Sequence, residues 1–375
     1  MAAGRVLVAA GVVLLALAVA ADASTTFPLF KQCDKRWGND TMGVPGPGEQ
    51  ATVCREGCAM SCLAMALNGL DITLPNGNGT GKGTPANPGT LNKWLKDHQL
   101  YTCAAGDCNN LVLNAVEAFT NHLELISEGF PQTRKEVEAG IASTSYIYLA
   151  HVRDGTHFVL LTGVAKDGRF KVNDPGFNQD TYAWTDIVDM IVYRVVPPAQ
   201  RAQQRTPLAY PLFKQCNASW GSDVMVHETI CQVGCLMSSV SMGLRGHSVL
   251  VAGTPSNPGV LNAWLRKHGG YNDQDDLNEA ALDAINTTSK IWPADGMHTS
   301  NDLDPYTIRA FMLQGRSVVV NVMHGRHFVL ATGWLYNSSD PILVNDPGFN
   351  TTAYSHANDA VGYRIFDFAD HWPRN

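Results

Sequence analysis

The sequence predicts an α+β protein made of two tandem copies of one domain, each with a helical part first and an antiparallel sheet after it. Three observations carry that prediction. Five motif blocks occur twice in the same order, a helix-forming apolar run stands early in each copy, and Val-, Leu- and Tyr-rich strands bounded by Asp-Gly or Asp-Pro-Gly turns close it. The composition agrees: of 375 residues 45% are apolar and 16% charged, which excludes disorder, collagen and coiled coil, and the length admits two cores. The formal charge of −7, without any Lys/Arg-rich run, argues against nucleic acid as a partner.

The N-terminus has one positive residue, Arg5, an apolar run from Val6 to Ala20, and the small-residue site Ala21-Asp22-Ala23. This is the plan of a secretory signal over 1–23, too short for a bilayer-spanning helix. Six Asn-x-Ser/Thr sequons, at Asn39, Asn78, Asn217, Asn286, Asn337 and Asn350, fit a lumenal or extracellular glycoprotein. After signal removal no membrane association is expected.

The duplication is read from the blocks. Pro28-Leu29-Phe30-Lys31-Gln32-Cys33 before Trp37 returns as Pro211-Leu212-Phe213-Lys214-Gln215-Cys216 before Trp220. Cys54 with Gly57-Cys58 returns as Cys231 with Gly234-Cys235, and Asn87-Pro88-Gly89 before Trp94 returns as Asn257-Pro258-Gly259 before Trp264. His157-Phe158-Val159-Leu160 and Asn173-Asp174-Pro175-Gly176-Phe177-Asn178 return as His327 to Leu330 and Asn345 to Asn350. The offset falls from 183 at Gln32/Gln215 to 172 at Asp174/Asp346, so the copies differ by short loop insertions. Copy one is placed at 24–196, a Pro-, Gln- and Arg-rich linker at 197–209, and copy two at 210–375.

Within copy one, Cys58 to Leu67 reads as a helix stopped by Asn68-Gly69, and Leu91 to His98 as a second helix started by the Asn-Pro-Gly turn. Strands are expected at Tyr146 to Val152, His157 to Val164 and Arg169 to Val172, forming a meander.

A thiol at a helix N-terminus meets free N–H donors and the positive end of the helix dipole, which favour thiolate. Cys58 and Cys235 hold that position. Nine cysteines leave at least one unpaired; joining Cys33 to Cys54, Cys216 to Cys231 and Cys103 to Cys108 is the economical scheme and leaves Cys58, Cys62 and Cys235 free. A metal face from Cys54, Cys58 and Cys62 is disfavoured because copy two has Ser239 in place of Cys62. No metal or other cofactor is expected. A thiolate needs a base: His157 and His327 head apolar strands, and Asp174 and Asp346 follow at strand ends, where each could orient the imidazole. Gln32 and Gln215 could supply a side-chain donor to an oxyanion, beside the nucleophile's own backbone N–H.

These blocks resemble the bacteriocin-processing type of cysteine peptidase and its stand-alone relatives, within the papain-like superfamily. The residues that carry the resemblance are Gln32 with Trp37, Gly57-Cys58 running into Leu63-Ala64-Met65, Gly155-Thr156-His157-Phe158-Val159 and Asn173-Asp174-Pro175, with their second-copy equivalents. The resemblance implies two papain-like domains, each with a Cys-His-Asp triad and a Gln oxyanion donor. It departs from the family pattern after the nucleophile, where Ala59-Met60-Ser61 and Leu236-Met237-Ser238 replace Gly-Pro-Thr. No transporter domain accompanies the blocks, so double-glycine leader processing is not carried over. The expected function is a secreted thiol hydrolase acting on peptides or proteins; the alternatives are an acyltransferase using the same triad and a catalytically silent binding module in which Met60 and Met237 plug the cleft. The sequence does not fix the oligomeric state.

Overall fold

A computed structural model describes residues 26–76, 82–104, 107–129, 132–285 and 290–368. The signal segment 1–23 and the sequons at Asn78 and Asn286 lie outside the described residues. The other four sequon asparagines, Asn39, Asn217, Asn337 and Asn350, are exposed. Among the described residues no helix is long and apolar enough to cross a membrane.

The first half opens with two helices in series, α1 (Val53–Glu56) and α2 (Cys58–Gly69). Gly57 separates them because the chain turns so tightly there that a Cβ would stand 2.5 Å from the Val53 carbonyl oxygen. Helix α2 is buried from Met60 to Leu67, as expected of a central helix that is apolar nearly all round. It ends at the predicted Gly69, two residues past Leu67, where Phe27 fills the space a side chain would need. Helix α3 (Pro88–Asp97) starts three residues before the predicted Leu91. Asn87 caps it by accepting from Thr90 N while Thr90 Oγ1 accepts from Asn87 N, and Pro88 fits the first turn.

A six-stranded antiparallel sheet follows: β1 (Leu123–Gly129), β2 (Tyr146–Val152), β3 (His157–Val164), β4 (Phe170–Asn173), β5 (Thr181–Tyr182) and β6 (Asp189–Val195), in the order β1-β6-β2-β3-β4-β5. Strands β2 to β5 form the expected meander, and β6 returns across β2 to meet β1. Leu149, Leu160 and Ile191 of the sheet join the apolar cluster around α2; Val159, Phe170 and Val192 pack instead with Val137 of α4 (Arg134–Ala142).

The second half has the corresponding parts: α5 (Ile230–Val233), α6 (Cys235–Gly246), α7 (Pro258–Leu265) and α8 (Pro305–Leu313). Its sheet contains β7 (Gln204–Arg205), β8 (Met297–His298), β9 (Ser317–Val322), β10 (His327–Leu335), β11 (Pro341–Asn345), β12 (Ala353–Ser355) and β13 (Gly362–Phe366). The order β8-β13-β9-β10-β11-β12 repeats that of the first half strand for strand, and β7 adds to it by pairing with the end of β10. The segment read as a linker is therefore partly sheet, and Arg205 is tied to Glu117 of the first half at 2.6 Å.

One apolar cluster spans both halves. Ile308, Phe311 and Leu313 of α8 belong to the same apolar cluster as Leu91 and Trp94 of α3. Between them the buried Arg309 donates to Ala118 O at 3.0 Å and Ser338 O at 2.8 Å, over the rings of Tyr306 and Trp334.

Candidate active site

One helix start, one strand start and two loops converge in each half. Helix α2 begins at Cys58, and β3 begins at His157. The turn after β4 carries Asp174, and the segment before Trp37 carries Gln32. The turn into β3 holds Arg153 and Asp154 at φ of 57° and 56°, a left-handed conformation costly for residues with a Cβ, and the turn into β10 holds Met323 and His324 likewise at 54° and 58°.

His157 Nε2 lies 2.7 Å from Asp174 Oδ1, and His327 Nε2 lies 2.7 Å from Asp346 Oδ1. That leaves Nδ1 of each ring free of the carboxylate, and each imidazole feels the neighbouring thiol, His157 that of Cys58 and His327 that of Cys235. Burial by itself would lower the pKa of His157; the bonds to Asp174 and Cys58 outweigh it and raise the imidazole to about 9. The same opposition of burial against Asp346 and Cys235 raises His327 to about 9. Burial works against the Asp174 carboxylate too, yet bonds from His157, Phe177 N and Gly176 N hold it below the usual carboxylate range. Asp346 is lowered in the same way. Each carboxylate is fully buried and each thiol half-buried, so the reactive end of the array faces the surface.

The disulfides are Cys33–Cys54, Cys103–Cys108 and Cys216–Cys231, as the cysteine arithmetic predicts, and Cys58, Cys62 and Cys235 are free. Cys62 is wholly buried, and burial drives its thiol pKa well up. It is the inert member of the three.

Gln32 stands beside the pair. Its backbone N–H donates to Pro175 O at 2.9 Å, and its Nε2 donates to Cys54 O at 2.7 Å, leaving one amide hydrogen unspent by that bond. Gln215 repeats both contacts with Pro347 O and Cys231 O, at 2.9 and 2.8 Å. Met60 and Met237 are each 1% exposed and pack with the core, and Leu236 and Met237 also line the cavity that holds Cys235 and His327.

Several supporting residues escaped the sequence reading. Lys31 Nζ donates to Asp174 O at 2.8 Å and to Phe177 O, and Lys214 does the same to Asp346 O at 2.8 Å and Phe349 O, so a lysine clasps each Asp turn. Tyr182 and Tyr354 donate to the second carboxylate oxygens of Asp174 and Asp346 at 3.0 and 2.7 Å. Gly176 and Gly348 leave room for the imidazoles: a Cβ would stand 2.8 Å and 2.9 Å from Cε1 of His157 and His327. All six recur at matching places in both halves, which is the signal that could have found them.

A strand-borne imidazole between a buried carboxylate and a helix-terminal thiol, with an amide at its side, is the arrangement of papain-like thiol enzymes. Residues 25–194 match the Peptidase_C39 like family. The C39-like match supports a papain-like cysteine peptidase relationship and suggests a cysteine peptidase-like hydrolase, with peptides or proteins as the substrates it implies. It spans α1 to β6 and takes in Gln32, Cys58, His157 and Asp174. No curated protein and no solved structure matches the chain.

Proposed function

We propose that the protein is a secreted thiol hydrolase of peptide or amide bonds with a reaction centre in each of two tandem papain-like copies, 24–196 and 210–375. The observation that carries this reading is the thiol–imidazole–carboxylate chain, present in both halves with the same 2.7 Å His–Asp contact and the same neighbours. In the first half, Cys58 gives its proton to Nδ1 of His157 and its sulfur attacks the substrate carbonyl. The oxyanion that forms accepts from the Cys58 backbone N–H and the remaining Gln32 amide hydrogen. Collapse breaks the C–N bond, the imidazolium returns its proton to the leaving amine, and water, deprotonated by the same imidazole, cleaves the thioester to release the acid and the thiol. Asp174 holds the ring by Nε2 and favours its charged form. Cys235, His327, Asp346 and Gln215 take the same roles in the second half. A cavity of about 1040 Å³ at Cys235 and His327 supports this reading over a silent module. Three disulfides and four exposed sequons support the secretory route.

Folded, non-reduced protein treated with iodoacetamide and mapped by mass spectrometry should be modified at Cys58 and Cys235 and spared at Cys62, and alkylation should stop turnover of a fluorogenic peptide library. Sparing of both Cys58 and Cys235 defeats the proposal, as does turnover that survives their complete alkylation.

A further inference from the structure

The two centres share their inner residues but not their rims, and the strand register aligns the rims residue by residue. Val152 pairs with His157 and Val322 with His327, so Arg153 and Met323 occupy the same place at the start of equivalent turns. Glu128 pairs with Ile191 on β6, and Met297 with Arg364, the equivalent residue on β13. Glu56 and Val233 each stand two residues before the reactive cysteine. At all three places the first half carries a charged side chain and the second an apolar one.

In the second half the three apolar side chains line a single cavity of about 1040 Å³ that also contains Cys235 and His327. They are not core residues: Val233 is 41%, Met297 49% and Met323 36% exposed, and Phe349 beside them is 50% exposed. Each charged side chain in the cavity wall has a partner: Asp276 accepts from Asn272 Nδ2 at 3.0 Å, and Arg326, exposed beside His327, donates to Met323 O at 3.4 Å. Asp275 accepts the backbone N–H groups of Val226, His227 and Glu228, and Glu279 accepts from Arg364 Nε at 2.9 Å. Beside these polar groups Val233, Met297 and Met323 offer an acyl donor a flexible, polarisable, apolar face of the kind methionines provide. In the first half Glu56 takes a hydrogen bond from Asn109 of the hairpin closed by Cys103–Cys108, and the Arg153 guanidinium lies 3.9 Å over the ring of Phe177.

We infer that the two centres are not redundant: the second selects acyl donors with a long apolar side chain next to the scissile carbonyl, and the first does not. This rests on the hydrolase reading above. An apolar contact of this kind gives discrimination on the order of tenfold or more.

The test uses full-length, disulfide-intact protein and two peptidyl acyloxymethyl ketones that differ only in carrying Leu or Glu beside the electrophile. Labelling of Cys58 and Cys235 is followed by mass spectrometry in the same sample and divided by each thiol's own iodoacetamide rate. The Leu:Glu ratio at Cys235 should exceed that at Cys58 by about tenfold, and the combined V233E, M297E and M323R substitutions should bring the two ratios together. Equal ratios in the unsubstituted protein, or a ratio at Cys235 that survives the three substitutions, overturn the inference while leaving the hydrolase reading intact. Failure of iodoacetamide to reach either thiol removes both.

Discussion

The halves of this chain differ where a substrate would arrive and agree where bonds would be made. From Lys31 and Lys214 inward, each contact to the Asp turn, the imidazole and the glutamine is reproduced, several to within 0.1 Å. Outward, Glu56, Glu128 and Arg153 face Val233, Met297 and Met323. The inner array tolerates little change because it is buried and hydrogen-bonded, so that losing one partner strands another. The rim faces solvent, where substitution costs little stability and alters only what is bound.

The sharpest way to break the comparison is to remove one thiol at a time. C58A and C235A should each abolish turnover in their own half, by about a thousandfold or more, and the residual activities should sum to that of the unsubstituted protein. The check is steady-state kinetics on a peptide both halves accept. A single substitution that silences both halves would mean the centres are coupled.

Next in size is the glycine beside each imidazole. In G176A the new methyl would meet His157 Cε1 at 2.8 Å, and in G348A it would meet His327 at 2.9 Å. A ring displaced by part of an ångström should lose on the order of a hundredfold in kcat at that half. Circular dichroism and the other half's labelling should be unchanged, and equal losses from both variants would sharpen the claim that the inner arrays are equivalent.

The aspartates set the pH dependence. His157 and His327 are raised from 6.5 to about 9, so the imidazolium that protonates the leaving amine is lost, and hydrolysis falls, as pH rises through about 9. D174N removes one contact that raises the ring, so the alkaline limb of its half should move to lower pH, with D346N doing the same in the other. Stability follows with a definite sign. The raised imidazole stabilises the fold fully below its unfolded value of 6.5 and loses that contribution as pH climbs towards 9. The lowered carboxylate contributes above its ordinary 3.8 and loses its contribution as pH falls through its lower folded value. The melting-temperature gap between the unsubstituted protein and D174N should be widest from about pH 4 to 6.5 and narrow towards 9.

The sequence exposed much of this architecture because duplication acts as an internal control. Strands β2 and β3 begin and end where their alternation and turns place them, and the disulfides are those of the economical scheme drawn from the repeated cysteines. Elements without a repeated signature were not legible. The hairpin of Tyr101–Ala104 and Asp107–Leu111, strand β1 and helix α4 fall in a stretch where the copies diverge, and β7 hides in a Gln- and Arg-rich segment whose strand state is imposed by the β10 edge. Of the site, Cys58, His157, Asp174 and Gln32 were singled out by residue type and order. Lys31, Tyr182 and Gly176 were not, because a lysine that donates to carbonyls and a glycine that makes room carry no chemical signature of their own.

The smallest expected effect concerns a buried position one turn past the reactive cysteine where the halves disagree. Cys62 Sγ lies 3.5 Å from Phe158 O, and its counterpart Ser239 Oγ lies 3.3 Å from Phe328 O. Both side chains are fully buried and both point at the same carbonyl, so C62S exchanges a weak donor for a stronger one at the cost of a slightly smaller, more polar group in the core. The two terms oppose each other, and chemical denaturation should register a change below about 1 kcal/mol. Turnover in the first half should stay within about twofold, since Cys62 contributes no proton or electron pair to the proposed reaction. A large loss of activity at unchanged stability would instead show that the third thiol takes part in the chemistry, and that the two halves do not work alike.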